Sequence, residues 1–197
     1  HYGNRAVAVV RENPYRLATD IAGIGFTTAD RIAEKIGIPR NAPMRVAAGV
    51  LYVLNRLADA GHVYFPDAAL IDRAREALAV EPALIVQSLR TLAAEQLIII
   101  EDPPPGVPGA AGASRPVYLA TFHRCETAIA RKLRALLEVP RARPVVEADV
   151  ALAWVQQQLA ITLSENQVQA VRVAITRKVM VITGGPGVGK TTIVKSI

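Results

Sequence analysis

The residues best equipped for chemistry lie in Gly184-Gly185-Pro186-Gly187-Val188-Gly189-Lys190-Thr191. A glycine, four residues and then Gly-Lys-Thr is the pattern of a phosphate-cradling loop. Its glycines let successive backbone N–H groups turn inward around an anion. Lys190 brings a cation to the β- and γ-phosphates of a nucleoside triphosphate, and the Thr191 hydroxyl is suited to its Mg²⁺. Lys190 and Thr191 are therefore the expected catalytic pair, Thr191 the metal ligand by way of the nucleotide, and ATP with Mg²⁺ the expected cofactors. Gly184 through Thr192 form the expected nucleotide contacts. Such a loop needs a strand before it and a helix after it, with the helix directing its positive end at the phosphate. Val179 to Thr183, short and apolar, predicts a buried strand, and Thr192-Ile193-Val194-Lys195 continues as a helix.

Gln167 stands seventeen residues ahead of Gly184 (184 − 167). Its amide both donates and accepts, which suits the edge of an adenine. Ser164 and Gln167 also have the Ser-x-x-Gln spacing of a capping box at a helix start. On spacing alone both readings stand, one role at a time.

A second glycine pair lies in Ile21-Ala22-Gly23-Ile24-Gly25-Phe26-Thr27-Thr28-Ala29-Asp30-Arg31-Ile32-Ala33, which has the form of a helix-hairpin-helix. Gly23 and Gly25 allow a phosphate to approach the backbone, and the helix beginning at Thr27 aims its N-terminus at the same place. Gly23, Ile24, Gly25, Thr27 and Thr28 are the candidate DNA contacts. Backbone contacts of this kind read no base sequence. The alternative is an ordinary tight turn between packed helices.

The elements that would carry these loops are mostly helical. Asn4–Glu12, Pro14–Asp20, Thr27–Ile36, Met44–Ala60, Asp67–Ala79, Pro82–Ala94, Phe122–Glu138, Glu147–Leu159 and Ser164–Thr176 have helical composition or spacing. Gly61–Pro66 reads as extended. Leu97–Glu101 and Val117–Thr121 are β-like, and the Pro-, Gly- and Ala-rich Asp102–Pro116 forms a loop at the tip of their hairpin. The expected fold is mainly α. A helix-hairpin-helix region (1–40) leads into a winged-helix-like module with a hairpin (41–121). A connecting helix and linker (122–146) then leads to the start of an α/β phosphate-loop domain (147–197). Trp154 and Tyr52 are expected in cores. Since the phosphate loop normally opens a large domain, and the first residue is not Met, the chain reads as a fragment.

Several stretches together resemble the RecD/TraA-like family of superfamily 1 DNA helicases. They are Asn13-Pro14-Tyr15-Arg16-Leu17, the Gly23–Ala33 segment, Gly61-His62-Val63-Tyr64, and Leu163-Ser164 with Gln167 ahead of the phosphate loop. The resemblance implies a RecA-like motor that unwinds duplex DNA with 5′ to 3′ polarity, in recombination or repair. It also implies that Gln167 recognises adenine. One departure stands out: related hairpins often carry Lys where this chain has Thr27, which removes one cation from the phosphate contact.

Composition fits a polyanionic partner. Lys and Arg number 23 against 17 Asp and Glu, a net charge of +6 and a pI near 9.8. Arg131, Lys132, Arg134, Arg141 and Arg143 could line a DNA path or form a solvated face. A single cysteine, Cys125, excludes an internal disulfide and suits a reducing cytoplasm. No apolar run approaches the ~20 residues of a bilayer span. His1, His62 and His123 lack metal-ligand spacing. Two other readings remain at this level: another DNA-dependent phosphate-loop ATPase, or a non-enzymatic DNA-binding or docking module. With no second carboxylate motif or arginine finger in view, the 197 residues alone are expected to lack ATPase activity.

Overall fold

The structure, a computed structural model, describes residues 2–102, 114–139 and 147–197. The chain divides into two compact units, 1–126 and 127–197, each taken here by itself.

In the first unit a 3₁₀ turn (Gly3–Arg5) leads into α1 (Ala6–Glu12), α2 (Arg16–Asp20) and α3 (Phe26–Lys35). α3 starts and ends one residue ahead of expectation. Ala29 and Ala33 are buried on its inner face, while Ile36, expected on the same face, is exposed. α4 (Pro43–Asp59) takes Pro43 in its first turn, where a missing N–H costs nothing. It buries Val46, Val50, Val53 and Leu54, a stripe at helical spacing. β1 (Tyr64–Pro66), α5 (Asp67–Leu78), α6 (Pro82–Ala94), β2 (Ile98–Ile100) and β3 (Pro116–Leu119) follow.

The three strands form one antiparallel sheet in the order β1-β3-β2. Tyr64 and Ile99 both oppose Tyr118, and Phe65 and Ile100 oppose Val117. The segment expected only to be extended, Gly61–Pro66, thus supplies the third strand. Period-two alternation places Val117 in the core and Tyr64 outside. Asp67 holds the start of β3. Its carboxylate accepts bonds from the Ser114 hydroxyl at 2.6 Å, the Arg115 N–H at 3.0 Å and Arg115 Nε at 3.1 Å. The hairpin tip falls at 103–113, outside the described residues, as does the linker at 140–146.

One close approach decides the packing of this unit. Gly49 is buried in α4, and a Cβ there would run into the Leu78 side chain of α5. Glycine is what lets these two helices meet.

α7 (Ala120–Glu138) begins two residues earlier than expected, so Thr121 is helical rather than extended. In the second unit α8 (Ala148–Leu159), α9 (Glu165–Thr176) and α10 (Lys190–Lys195) surround a small core of Leu152, Leu163, Val171 and Ile193. Two expectations fail here. Val179–Thr183 forms no strand, and Val181 is 82 % exposed. A strand is held by its neighbours, and the sheet seen among the described residues is built wholly from residues 64–119. Trp154, expected in a core, is 61 % exposed. It sits two residues past Leu152, and two residues turn a helix about 200°, so it faces away from the side that Leu152 buries.

Candidate nucleotide and DNA-backbone sites

The phosphate loop runs from Gly184 to Thr191 between the irregular 179–183 segment and α10. Gly187 and Gly189 adopt φ of 78° and 82°, a left-handed conformation open to glycine at little cost. The Lys190 ammonium lies back across the loop and donates to the carbonyls of Gly184 at 2.7 Å and Gly185 at 2.6 Å. Thr191 is exposed and Thr192 half-buried. Ile193, buried against the small core, anchors the helix that presents both.

Gln167 is on the first turn of α9. Its Oε1 accepts from the Ser164 N–H at 2.9 Å, and the capping box is complete. Its Nε2 donates to the Val188 carbonyl at 3.4 Å. A Cβ on Gly189 would strike that same amide nitrogen. The structure therefore brings Gln167 against the phosphate loop while it also serves as a cap. Of the two roles open on spacing, the cap is the one formed here, and the amide nitrogen lies on the loop.

Around the other glycine pair, α2 ends at Asp20, Gly23 turns with φ 89°, and Gly25 caps α3. The Ile24 N–H closes the turn on the Ile21 carbonyl at 3.2 Å. The Thr28 and Ala29 N–H groups are the first to bond back, both to the Gly25 carbonyl. The N–H groups ahead of them precede the helical ladder, the usual orphan donors of a helix start. Gly23, Gly25, Thr27 and Thr28 are exposed and Ile24 is half-buried.

Two features bracing this turn left no periodic signal in the sequence. Arg45 on α4 donates to both Asp30 oxygens, through Nε at 2.9 Å and Nη2 at 3.1 Å, and to the Leu78 carbonyl at 3.1 Å. The Tyr15 hydroxyl donates to Asp30 Oδ1 at 2.7 Å. Burial raises the Asp30 carboxyl, but the bonds from Arg45 and Tyr15 and the Arg45 charge outweigh it and hold the group below its ordinary value. Burial and the Asp30 bond push the Tyr15 hydroxyl upward. The second feature is a stack of rings, Tyr15 on Phe26 at 5.8 Å and Phe26 on Tyr52 at 5.0 Å, which ties α3 to α4. Tyr52 thereby packs against the core as expected.

Of the basic candidates, Arg131, Lys132 and Arg134 are exposed on α7, while Arg141 and Arg143 lie outside the described residues. His1 is likewise outside. His123 Nε2 lies 2.9 Å from Glu101 Oε1. Among the described residues no three His, Cys, Asp or Glu side chains converge on a metal position. No single described helix is long and apolar enough to cross a membrane.

Comparison with known proteins finds matches that include both glycine-bearing segments. Residues 1–64 match the family described as the ATP-dependent RecD2 DNA helicase HHH domain. Residues 167–197, beginning at Gln167 itself, match a family described as an AAA domain. The ATP-dependent RecD2 DNA helicase of Deinococcus radiodurans is 30 % identical over 200 residues, an alignment that covers 100 % of this chain and 27 % of the relative. The chain thus spans about a quarter of that relative's length. Over its whole length the chain is similar to the RecD2 helicase of Deinococcus radiodurans, with the helix-hairpin-helix match at one end and the AAA match at the other.

Proposed function

We propose that the chain belongs to an ATP-dependent DNA helicase with 5′ to 3′ polarity, to which it contributes a DNA-backbone contact and the first nucleotide-binding motif. The observation that carries this reading is the pairing, in one chain, of an exposed glycine hairpin with a phosphate loop flanked by Gln167. The Gly23–Gly25 turn, with Thr27 and Thr28, holds DNA phosphates through N–H groups and hydroxyls. Residues 41–121, with one helix, a strand, two helices and a hairpin, serve as a winged-helix-like module beside it.

The loop residues suit a triphosphate. Gly187 and Gly189 already hold the backbone in the conformation that a phosphate cradle needs. Lys190 rests on two carbonyls that a γ-phosphate would replace; on this reading Thr191 would supply its hydroxyl to Mg²⁺, and Gln167, whose amide lies on the loop, would read adenine. Bound ATP supplies the phosphoanhydride bond whose hydrolysis drives the motor. These residues bind and orient it.

The test is Lys190→Ala in the full-length protein. DNA-stimulated ATPase and unwinding should fall by at least about a hundredfold, the scale of removing a transition-state charge contact. Turnover within a few-fold of the unsubstituted enzyme overturns the assignment. The 197 residues alone should bind short DNA with a log–log salt slope of about −2 to −4, as a few phosphate contacts dictate. A flat salt response would refute the backbone contact.

A further inference from the structure

The exposed side of α3 carries charge that the fold does not use. Four of its ten residues ionise: Asp30, Arg31, Glu34 and Lys35. Such a sequence ordinarily neutralises itself through acid–base pairs three or four residues apart. Here arginines from beyond the helix take both acids. Asp30 accepts from Arg45 at 2.9 and 3.1 Å and from the Tyr15 hydroxyl at 2.7 Å. Glu34 meets Arg40 at 3.4 Å. Arg16, Arg40 and Arg45 thus all have carboxylate partners. Arg31 and Lys35 are exposed, and neither makes an ion pair or hydrogen bond among the described residues.

Their placement is informative. Residues four apart on a helix are neighbours on one face, about 5–6 Å apart at Cβ, and like charges so placed weaken the helix. Lys35 has a compensation, because it lies in the last turn, where a cation favours the helix dipole. Arg31, in mid-helix, has none. Four residues ahead of Arg31, on the same face, stands the exposed Thr27. Cα–Cβ bonds tilt toward a helix's N-terminus, so both cations lean toward the Gly23–Gly25 turn. The row Thr27, Arg31, Lys35 continues from that turn along the exposed side of α3. It offers a hydroxyl and two cations, with both acids of the helix engaged elsewhere. A single small anion would be met at the turn. Cations repeated a turn apart fit an anion that also repeats, and a nucleic-acid backbone is such a polyanion.

We infer that Arg31, with Lys35 beyond it, contacts phosphates of the same strand whose backbone rests on the Gly23–Gly25 turn. This rests on the DNA reading above and extends the contact from the turn onto the helix behind it. Arg31 restores, one turn further along, the cation that Thr27 leaves out. Arg45 and Arg40 gain a second role: by occupying Asp30 and Glu34 they keep acid away from the row. Phosphate contacts carry no base sequence, so the gain in affinity is the same for any strand.

The experiment measures binding of the 197-residue chain to a short single strand, and to the duplex of the same sequence, across a salt series. Arg31→Gln should weaken binding about threefold to fivefold, the upper end for an exposed ion pair. It should also flatten the log–log salt slope by about 0.7 on the single strand or about 0.9 on the duplex, the counterions of one phosphate. Lys35→Gln should do the same, and the double variant should flatten the slope about twice as much. Arg31→Lys keeps the charge and should keep the slope. Arg90→Gln, which removes an exposed charge on α6, should leave slope and affinity unchanged. Since Arg31→Gln relieves a like-charge pair, its midpoint in urea should not fall. A lower midpoint would assign Arg31 to the fold and overturn the inference. Arg31→Gln with the affinity and slope of the unsubstituted chain overturns it alone, as does an equal loss in Arg90→Gln. Absence of salt-dependent binding by the unsubstituted chain sinks the DNA reading as well.

Discussion

At the residue scale, the Arg45–Asp30–Tyr15 group does the most to hold the glycine turn in place. Arg45 is mostly buried and bonds two partners on different helices. Arg45→Met should cost about 2 kcal/mol, as expected for losing hydrogen bonds to a charged group, read as a lower midpoint in urea. The pH dependence follows from sign. Asp30 and Asp67 both titrate below their ordinary value in the fold, so the folded state favours their ionised forms. Their contribution is complete above the unfolded value near ~4 and is lost as pH falls from there through the lower folded values. Chemical denaturation between about pH 5 and 2 should show stability falling with acid. Asp30→Asn should be less stable near neutrality and should lose less on acidification. An unchanged acid slope would refute the role given to Asp30.

At the element scale, helices announced themselves better than the strand did. α6 occupies Pro82–Ala94, the limits expected from its proline start and apolar spacing, because those signals are local. The glycines of both loops were legible for the same reason: Gly23, Gly187 and Gly189 take a positive φ that glycine adopts at little cost. Val179–Thr183 was misread because a strand depends on partners that local sequence does not specify. Trp154 was misread because size suggested burial, whereas helix phase decides it. The Asp30–Arg45 pair joins residues that come together only when α3 and α4 pack. The α4–α5 contact gives a direct test. Alanine ordinarily stabilises a helix interior over glycine by about 1 kcal/mol. At Gly49 the added methyl meets Leu78, and overpacking of this kind costs about 1–3 kcal/mol. Gly49→Ala should therefore lower the melting temperature. A rise would mean that Leu78 yields freely.

At the scale of the whole molecule, the two units differ in what they bury. Sixteen described side chains form the core of the first, and four form that of the second. Burial sets resistance to local opening. Hydrogen exchange should thus be slowest in α4 and α6 and markedly faster throughout α8, α9 and α10. Equal protection in both units would contradict that ranking. A well-buried hairpin unit joined to a lightly buried phosphate-loop unit matches the proposed division of labour, since a nucleotide site must rearrange as its ligand changes.

Gln167 gives that division a readout. Its amide closes the N-terminal box of α9 with one atom and reaches the Val188 carbonyl with the other. If Gln167 reads adenine as proposed, turning its amide toward the base would withdraw both atoms from the protein together, releasing the first turn of α9 and the Val188 carbonyl at once. On that reading α9 would serve as an occupancy gauge, firm with the loop idle and looser once it is charged.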